Sequence, residues 1–281
     1  MKRLAYTTVL FILLGANESL GQTSDLADIV DRITKINEVQ GEHVGFAGIE
    51  SENYKNFIQL KGLATLDELV QLTDNENATV ACYASWALAD IPYADLRAIF
   101  YKFILRDREI ETFSGCIKSQ DIISSSLYHR YWNKVKDQER PTNRMLFELD
   151  SVIIFSRDPY WLLLSRALDN RIYTEPYKEQ IAILAFDHGR KEAVFYLSNW
   201  HKAEYVDKIK TALVAYLKKT SFKSTGTTDY YQAVEELFKF KDPEIRKAII
   251  AKMKKDRHWE MEKGRFMYLL GDNYIYNIDN E

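Results

Sequence analysis

The sequence lacks an excess of charge of either sign. Its 281 residues carry 38 lysine and arginine side chains against 41 aspartate and glutamate side chains, so the formal net charge is only -3. No stretch combines a run of basic residues with interleaved aromatic residues, the pattern typical of nucleic-acid interfaces. A chain with so little net charge has no long-range field that would concentrate a polyanion. The composition therefore argues against nucleic acid as a partner.

The common catalytic motifs are also missing. The five histidines are scattered, and neither a His-x-x-x-His pair nor a His-Glu-x-x-His motif is present to hold a metal ion. The nearest approach to a ligand cluster is His201, Tyr205 and Asp207, which lacks that spacing. The chain has no Gly-x-Ser-x-Gly nucleophile elbow and no phosphate-binding glycine loop. We therefore predict a protein that is not an enzyme and that needs no metal or cofactor.

Long hydrophobic runs are missing except at the N-terminus. Lys2 and Arg3 precede an apolar run over residues 4–16, and Ser19 and Gly21 place small residues before a signal-peptidase cleavage site. The run is shorter than the roughly 20 residues that a membrane-spanning helix needs. We predict that residues 1–21 form a cleaved signal peptide and that the mature protein, without a membrane span, is periplasmic or secreted. A membrane anchor is the alternative.

Cysteine is scarce, since Cys82 and Cys116 are the two in the chain. In an exported protein they can form one disulfide, which would join the segment around Cys116 to a strongly patterned helix. The chain-entropy model gives a loop of this length a stabilisation of about 3 to 4 kcal/mol. The alternative is that both are ordinary buried thiols between helices.

The clearest pattern present is a helical hairpin over residues 65–91. Thr65 and Glu68 form a Thr-x-x-Glu capping box, in which the hydroxyl and the carboxylate each satisfy a backbone N–H group at the helix start. Apolar residues then recur at helical spacing, and the polar run 73–77 predicts a turn. The second helix has a narrow stripe of mostly small residues for close approach of a neighbouring helix: Ala81, Ala84, Ala87 and Leu88. Because two short helices cannot bury both their faces, we expect further hairpins to stack on this one.

A second strong helix signal lies near the C-terminus, where Asp242 is a good N-cap and Pro243 a good first helical residue. The segment Asp242 to Met253 resembles the second helix of a HEAT repeat, whose usual pattern is Asp-Pro-x-Val-Arg-x-x-Ala-x-x-Ala-Leu. The matching residues are Asp242, Pro243, Ile245, Arg246, Ala248 and Ala251. The segment Asn77 to Ile91 resembles it too, with Ala81 and Cys82 in place of the aliphatic residue and the arginine. The resemblance implies an α-solenoid that binds another molecule, and it implies no chemistry.

The rest of the mature chain also follows a helical period. We predict helices over residues 26–39, 52–60, 96–105, 122–135, 144–155 and 160–168, one behind Pro176, and a hairpin over 189–219. The serine-rich segment Glu109 to Ser126 is predicted to be a long loop or a short irregular element. Residues 221–228 are predicted to be a connector, and no strand is expected. The predicted fold is all-α, a degenerate HEAT-like α-solenoid of stacked helical hairpins. Its parts are an N-terminal helical-repeat part over 22–140, a C-terminal one over 141–270, and a polar tail over 271–281.

The densest group of residues suited to binding is His129, Arg130, Tyr131 and Trp132, next to the predicted loop. Tryptophan, tyrosine and arginine carry much of the energy at protein interfaces, so these four residues are the candidate partner-binding site. Consecutive residues of a helix point in different directions, however, and the alternative is that the group is half core and half surface.

These observations together predict an exported, non-catalytic helical-repeat module that binds a protein. A periplasmic immunity-type inhibitor of a toxin is one specific form of this prediction. The alternatives are an enzyme or accessory factor that acts on cell-envelope or glycan material, and a structural component of the envelope.

Overall fold

The computed structural model describes residues 25–220, 227–255 and 264. The predicted signal peptide and the polar tail lie outside these residues, as do positions 221–226 of the predicted connector. The chain divides into two compact units, one ending at Leu163 and the other beginning at Leu164. The subdomain division near Pro141 is a different boundary, and it stays a prediction.

Most of the first unit is helical. Its helices are α1 (residues 25–36), α2 (Glu52–Leu63), α3 (Leu66–Leu72), α4 (Ala78–Asp90), α5 (Leu96–Leu105), α6 (Ile123–Lys134) and α7 (Arg144–Ile154), with a 3-10 turn at Asp137–Glu139. The next helix, α8 (Trp161–Asp169), contains the boundary between the units. Among the described residues, no helix is both long enough and apolar enough to cross a bilayer.

The predicted hairpin over residues 65–91 is confirmed as α3 and α4. The Thr65 hydroxyl accepts a hydrogen bond from the Glu68 N–H at 3.3 Å, and the Glu68 carboxylate accepts one from the Thr65 N–H at 2.8 Å. Asn77 caps α4, since its side-chain oxygen accepts from the Val80 N–H at 3.0 Å. Short polar side chains at both helix starts therefore satisfy backbone donors that would otherwise lack a partner.

The first helix is shorter than predicted. Residues 26–39 were expected to be helical, but α1 ends at residue 36 and Asn37 adopts a positive φ of 50°. Asparagine tolerates this left-handed conformation and commonly ends helices. The chain then leaves in a new direction, and Val39 begins a strand.

A four-stranded sheet in the first unit corrects the all-α prediction. Its strands are β1 (Val39–Val44), β2 (Ile49–Glu50), β3 (Glu109–Gly115) and β4 (Ile117–Ile122), in the order β2-β1-β3-β4. The central strands β1 and β3 are parallel, whereas both outer pairs are antiparallel. The loop predicted from Glu109 to Ser126 is therefore wrong, because this segment forms β3, β4 and the start of α6.

The core of the first unit contains stacked aromatic rings and closely packed small residues. Phe57 of α2 stacks on Tyr83 of α4 with ring centroids 5.2 Å apart. The predicted small-residue stripe of α4 is buried at Ala81, Ala84 and Ala87, and α4 packs against both α3 and α6. Small side chains let these helix backbones approach closely, as the sequence predicted.

After α8, every secondary-structure element of the second unit among the described residues is a helix. It contains α9 (Tyr177–Phe186), α10 (Lys191–Trp200), α11 (Val206–Lys219), α12 (Thr227–Phe238) and α13 (Pro243–Lys255), with a 3-10 turn at Lys202–Glu204. Asp242 caps α13 as predicted, since its carboxylate accepts from the N–H groups of Glu244 and Ile245 at 3.1 and 3.3 Å. Within this unit α10 packs against α9 and α11, and α11 packs against α12. The fold is thus mostly helical with one mixed sheet, and the solenoid stays a prediction.

Candidate functional site

Arg130, one of the four candidate partner-binding residues, makes its contacts inside the first unit. Its guanidinium donates two hydrogen bonds to the Asp90 carboxylate, at 2.8 and 2.7 Å. Lys61 donates to the same carboxylate at 2.6 Å. The guanidinium also lies over the rings of Phe57 and Trp86, 5.3 and 5.0 Å from their centroids. These contacts join α2, α4 and α6, so this arginine stabilises the fold.

The ion pair changes the proton affinity of the buried carboxylate. Burial opposes ionisation of Asp90, but hydrogen bonds from Arg130 and Lys61 outweigh burial and leave its pKa below the usual value. The aspartate is therefore a charged structural group at neutral pH rather than a candidate proton donor.

The other three residues of the predicted group point to different neighbours. The Tyr131 hydroxyl donates to the Asn143 side chain at 3.4 Å, and the Trp132 ring lies 3.2 Å from the Arg140 guanidinium. His129 lies with its ring centroid 6.2 Å from that of Tyr128. Each of these three side chains thus contacts a different neighbouring side chain. A binding role for any one of them stays a prediction.

The two cysteines are free thiols in very different surroundings. Cys82 is buried and donates to the Ser126 hydroxyl at 3.4 Å, and burial raises its pKa to about 12. Cys116 is exposed in the turn between β3 and β4, with its sulfur 3.6 Å from the Gly45 carbonyl oxygen. The structure thus contains no Cys82–Cys116 bridge.

Histidine and carboxylate groups do not converge on a metal-binding arrangement within the described residues. His201, considered above with Tyr205 and Asp207, instead lies with its Nδ1 atom 3.2 Å from the Glu204 carboxylate. The same glutamate accepts from Lys178 at 2.5 Å, which makes this a polar cluster at the 3-10 turn.

The first surface with the character of a binding site is at one end of the sheet. We call it the sheet tip and define it as Gly45, Phe46, Ile49, Cys116 and Ile117. The turns of the two hairpins meet here, since the Gly45 N–H donates to the Gly115 carbonyl oxygen at 2.8 Å. Val44 lies opposite Ile49 in the first hairpin, and Ser114 lies opposite Ile117 in the second. Ile49 and Ile117 are therefore the first strand residues after the two turns.

Glycine makes the turns of the sheet tip. Gly45, Gly48 and Gly115 all have positive φ, at 76°, 59° and 54°. Side-chain-bearing residues adopt this conformation at a steric cost, whereas glycine does not. The glycine-rich stretch after β1 was visible in the sequence, but a glycine run alone does not say that it will carry exposed apolar side chains.

The large apolar side chains of the sheet tip are exposed. Phe46 is fully exposed at 102% of its reference area, and Ile49 and Ile117 are 64% and 70% exposed. Scattered exposed leucines or isoleucines are ordinary, whereas here three large exposed apolar residues lie at or beside two turns that a hydrogen bond joins. A group of exposed apolar residues of this kind is a candidate surface for binding another molecule.

A concave surface lies in the second unit, between α9, α10 and α11. This groove, which we call the α11 groove, has a volume of about 620 Å³. Phe186, Val194 and Phe195 form an apolar wall of the groove. The opposite wall is formed by residues of α11. The volume falls in the range of about 300 to 1,000 Å³ that is common for ligand pockets.

No protein-family model, no curated protein and no solved structure matches this chain. The two surfaces are therefore interpreted from their own geometry and chemistry.

Proposed function

We propose that this protein is an exported, non-catalytic module that binds a protein partner through the sheet tip. The observation that carries the proposal is the exposure of Phe46, Ile49 and Ile117 at adjoining turns. These side chains contribute little to the core of the chain, so their packing within the fold does not explain them. An interface would give them a role, because aromatic and aliphatic anchors at its centre supply most of the binding energy.

The apolar side chains of the sheet tip can supply part of the free energy of specific binding. Full burial of one large apolar side chain is worth about 1.5 to 3 kcal/mol. The three side chains of the tip together could therefore supply several kcal/mol before the polar rim contributes. The costs of association must be subtracted, so a partner would need to bury a larger surface around the tip.

The sheet beneath the tip limits the entropy lost on binding. Phe46 lies in a turn that is linked to the neighbouring turn by the hydrogen bond between Gly45 and Gly115. The two hairpins are joined by pairing of β1 with β3, which fixes their relative position. A surface that is ordered before binding loses less conformational freedom when the partner arrives.

The test is affinity capture with the mature chain, from Gln22 onward, out of envelope and culture fractions of its own cells and of competing cells. Stoichiometric partners are identified by mass spectrometry. The double variant Phe46→Ser with Ile117→Ser should reduce the affinity for a partner by at least tenfold, because it removes two apolar anchors.

The matched control is Leu105→Ser at the end of α5. Leu105 is 62% exposed, similar to Ile49 and Ile117, but it precedes β3 at the end of that strand away from the tip. The control variant should bind like the unchanged chain. A partner that binds the tip variant and the unchanged chain equally well would contradict the proposed surface.

An immunity-type inhibitor would add a specific consequence to the same experiment. The captured partner would then be a toxin, and the unchanged chain would block its activity whereas the tip variant would not. A stoichiometric partner without toxic activity would support the protein-binding module and contradict the immunity-type inhibitor.

A further inference from the structure

The α11 groove is concave, and its lining differs in chemistry from the exposed apolar side chains of the sheet tip. Most lining residues of α11 recur on one side of the helix, from Asp207 through Thr211 and Ala215 to Lys219, and Leu213 also lines the groove. From Lys208 to Lys219 the lining extends over twelve residues, or about 16 Å at the rise of an α-helix. The groove therefore runs along three turns of helix rather than forming a compact hole.

The middle of the groove is lined by small side chains. Thr211, Ala212 and Ala215 lie on α11, and Ala185 and Gly189 lie at the end of α9 and in the turn that follows it. Thr211 and Ala215 are exposed, so the groove is open along its length. Small residues on an open face allow a second backbone to approach closely, and large apolar side chains of that backbone can contact Phe186 and Phe195.

Charge is distributed unevenly along the groove. Asp207 and Lys208 lie at the start of α11, and Lys219 lies at its end. The oppositely charged Asp187 and Lys191 lie just after α9 and at the start of α10. Lys219 makes no ion pair within the described part of the chain, and it is exposed. The two acidic and three basic lining residues leave one excess positive charge, and along α11 that charge lies at Lys219.

We propose that the α11 groove binds an amphipathic α-helix of a partner protein, with carboxylate side chains at the end that lies over Lys219. The length of three turns and the small-residue centre fit a helix that places one apolar face in the groove. The positive charge at Lys219 fits acidic residues at one terminus of that helix. This surface is separate from the sheet tip, and the proposal does not depend on which partner covers the tip.

Two synthetic peptides test the proposal with the mature chain. Both are 16-residue amphipathic helices with leucines at helical spacing along one face. One has two glutamates in its first turn, and the other has two lysines there. The glutamate peptide should bind saturably in a fluorescence anisotropy titration, and it should bind more tightly than the lysine peptide because the attraction to Lys219 becomes a repulsion.

Variants of the chain then locate the binding. Ala215→Trp fills the groove with a bulky side chain at an exposed position and should abolish binding of the glutamate peptide. Lys219→Glu should weaken that binding about fivefold and reduce or reverse the preference over the lysine peptide. Circular dichroism of each variant verifies that α11 remains folded.

The matched control is Lys218→Glu, which makes the same charge change one residue away. Lys218 is exposed but does not line the groove, so its effect should be less than twofold. Phe46→Ser should leave peptide binding unchanged, which separates this site from the sheet tip. Equal effects of Lys218→Glu and Lys219→Glu, or unchanged binding by the folded Ala215→Trp variant, would overturn the proposal.

An extended acyl chain with an anionic head is the competing occupant, and dodecanoate serves as its probe. Saturable binding of dodecanoate that Ala215→Trp abolishes, together with absence of binding by either peptide, would overturn the helix in favour of a lipid-like ligand. Absence of binding by all three probes would overturn the groove as a binding site.

Discussion

At the scale of single residues, Asp90 illustrates how one carboxylate connects three helices. It accepts hydrogen bonds from Arg130 of α6 and Lys61 of α2, and its own side chain is only 12% exposed. Removal of one member of such a cluster leaves the other charges partly buried without a partner, which costs more than the cluster gains from forming. The chain therefore depends on this aspartate more than on any exposed ion pair.

We expect Asp90→Asn to lower the free energy of unfolding by about 2 to 3 kcal/mol at pH 7. Urea denaturation followed by circular dichroism measures the change. The matched control is Glu148→Gln, whose partner Arg144 is 92% exposed. Because solvent screens that pair, the control should change the free energy of unfolding by less than about 0.5 kcal/mol.

The same variant should also alter the acid dependence of stability. The folded-state pKa of Asp90 is lowered, with the attraction of Arg130 and Lys61 exceeding the effect of burial. Its contribution is therefore present above the unfolded-state pKa of about 3.9 and is lost as the pH falls through the lower folded-state value. The difference between the unchanged chain and Asp90→Asn should shrink below about pH 4. A difference that stays constant down to pH 2 would contradict the assigned role.

At the scale of secondary-structure elements, two glycines give opposite predictions for the same substitution. Gly115 has a positive φ of 54° in the turn between β3 and β4, whereas Gly62 lies in α2. An added Cβ atom at either position meets no other atom within 4 Å. The outcome at each site therefore depends on backbone conformation alone.

We expect Gly115→Ala to lower the free energy of unfolding by about 1 kcal/mol, because alanine is strained at positive φ. Gly62→Ala should instead raise it by up to about 1 kcal/mol, since alanine favours the helix and restricts the unfolded chain. Thermal and urea denaturation measure both changes. If both substitutions changed the free energy of unfolding in the same direction, the positive φ at Gly115 or the helical conformation at Gly62 would be contradicted.

The helices could be predicted because their signals are local. The Thr65–Glu68 capping box, the Asn77 cap and the Asp242–Pro243 start each require side chains within four residues of one another. Such contacts are determined by sequence spacing, so the hairpin of α3 and α4 and the start of α13 were predicted correctly. For α1 it was the end of the helix that was predicted imprecisely, since α1 ends at residue 36 rather than at residue 39.

The sheet could not be predicted in the same way, because its pairing is not local. Val39 of β1 lies opposite Thr112 of β3, and the two residues are far apart in the sequence. β4 is exposed along most of its length, so it lacks the alternating apolar residues that identify a strand with one buried face. Its serine, glutamine and charged residues instead matched the expectation for a loop.

The candidate site shows the same limit. Arginine, tyrosine and tryptophan in α6 have the composition of an interface, but their spacing does not reveal that Asp90 and Arg140 already engage two of them. Phe46 has little signal in the sequence, because an apolar residue between glycines fits a buried turn as well as an exposed one. Exposure depends on what the rest of the fold covers, and sequence pattern does not determine that.

At the scale of the whole molecule, the surfaces depend on the compartment that the chain reaches. Lys2, Arg3 and the apolar run that follows predict export, while the two described surfaces predict contact with other proteins. An exported chain meets envelope proteins and proteins from outside the cell. A chain kept in the cytosol would meet neither, so the identity of the partner depends on this step.

We expect the full-length chain, expressed in a bacterial host, to be recovered from the periplasmic or culture fraction with Gln22 as its first residue. N-terminal sequencing and intact mass give the cleavage point. Replacement of Leu13 by arginine interrupts the apolar run and should leave the precursor uncleaved, because the run must be apolar to enter the export machinery. The Lys2→Arg change keeps the positive charge before the run and serves as the control that is still processed. Recovery of the uncleaved chain in the membrane fraction would support an anchor instead, and the partner would then be sought at the membrane surface.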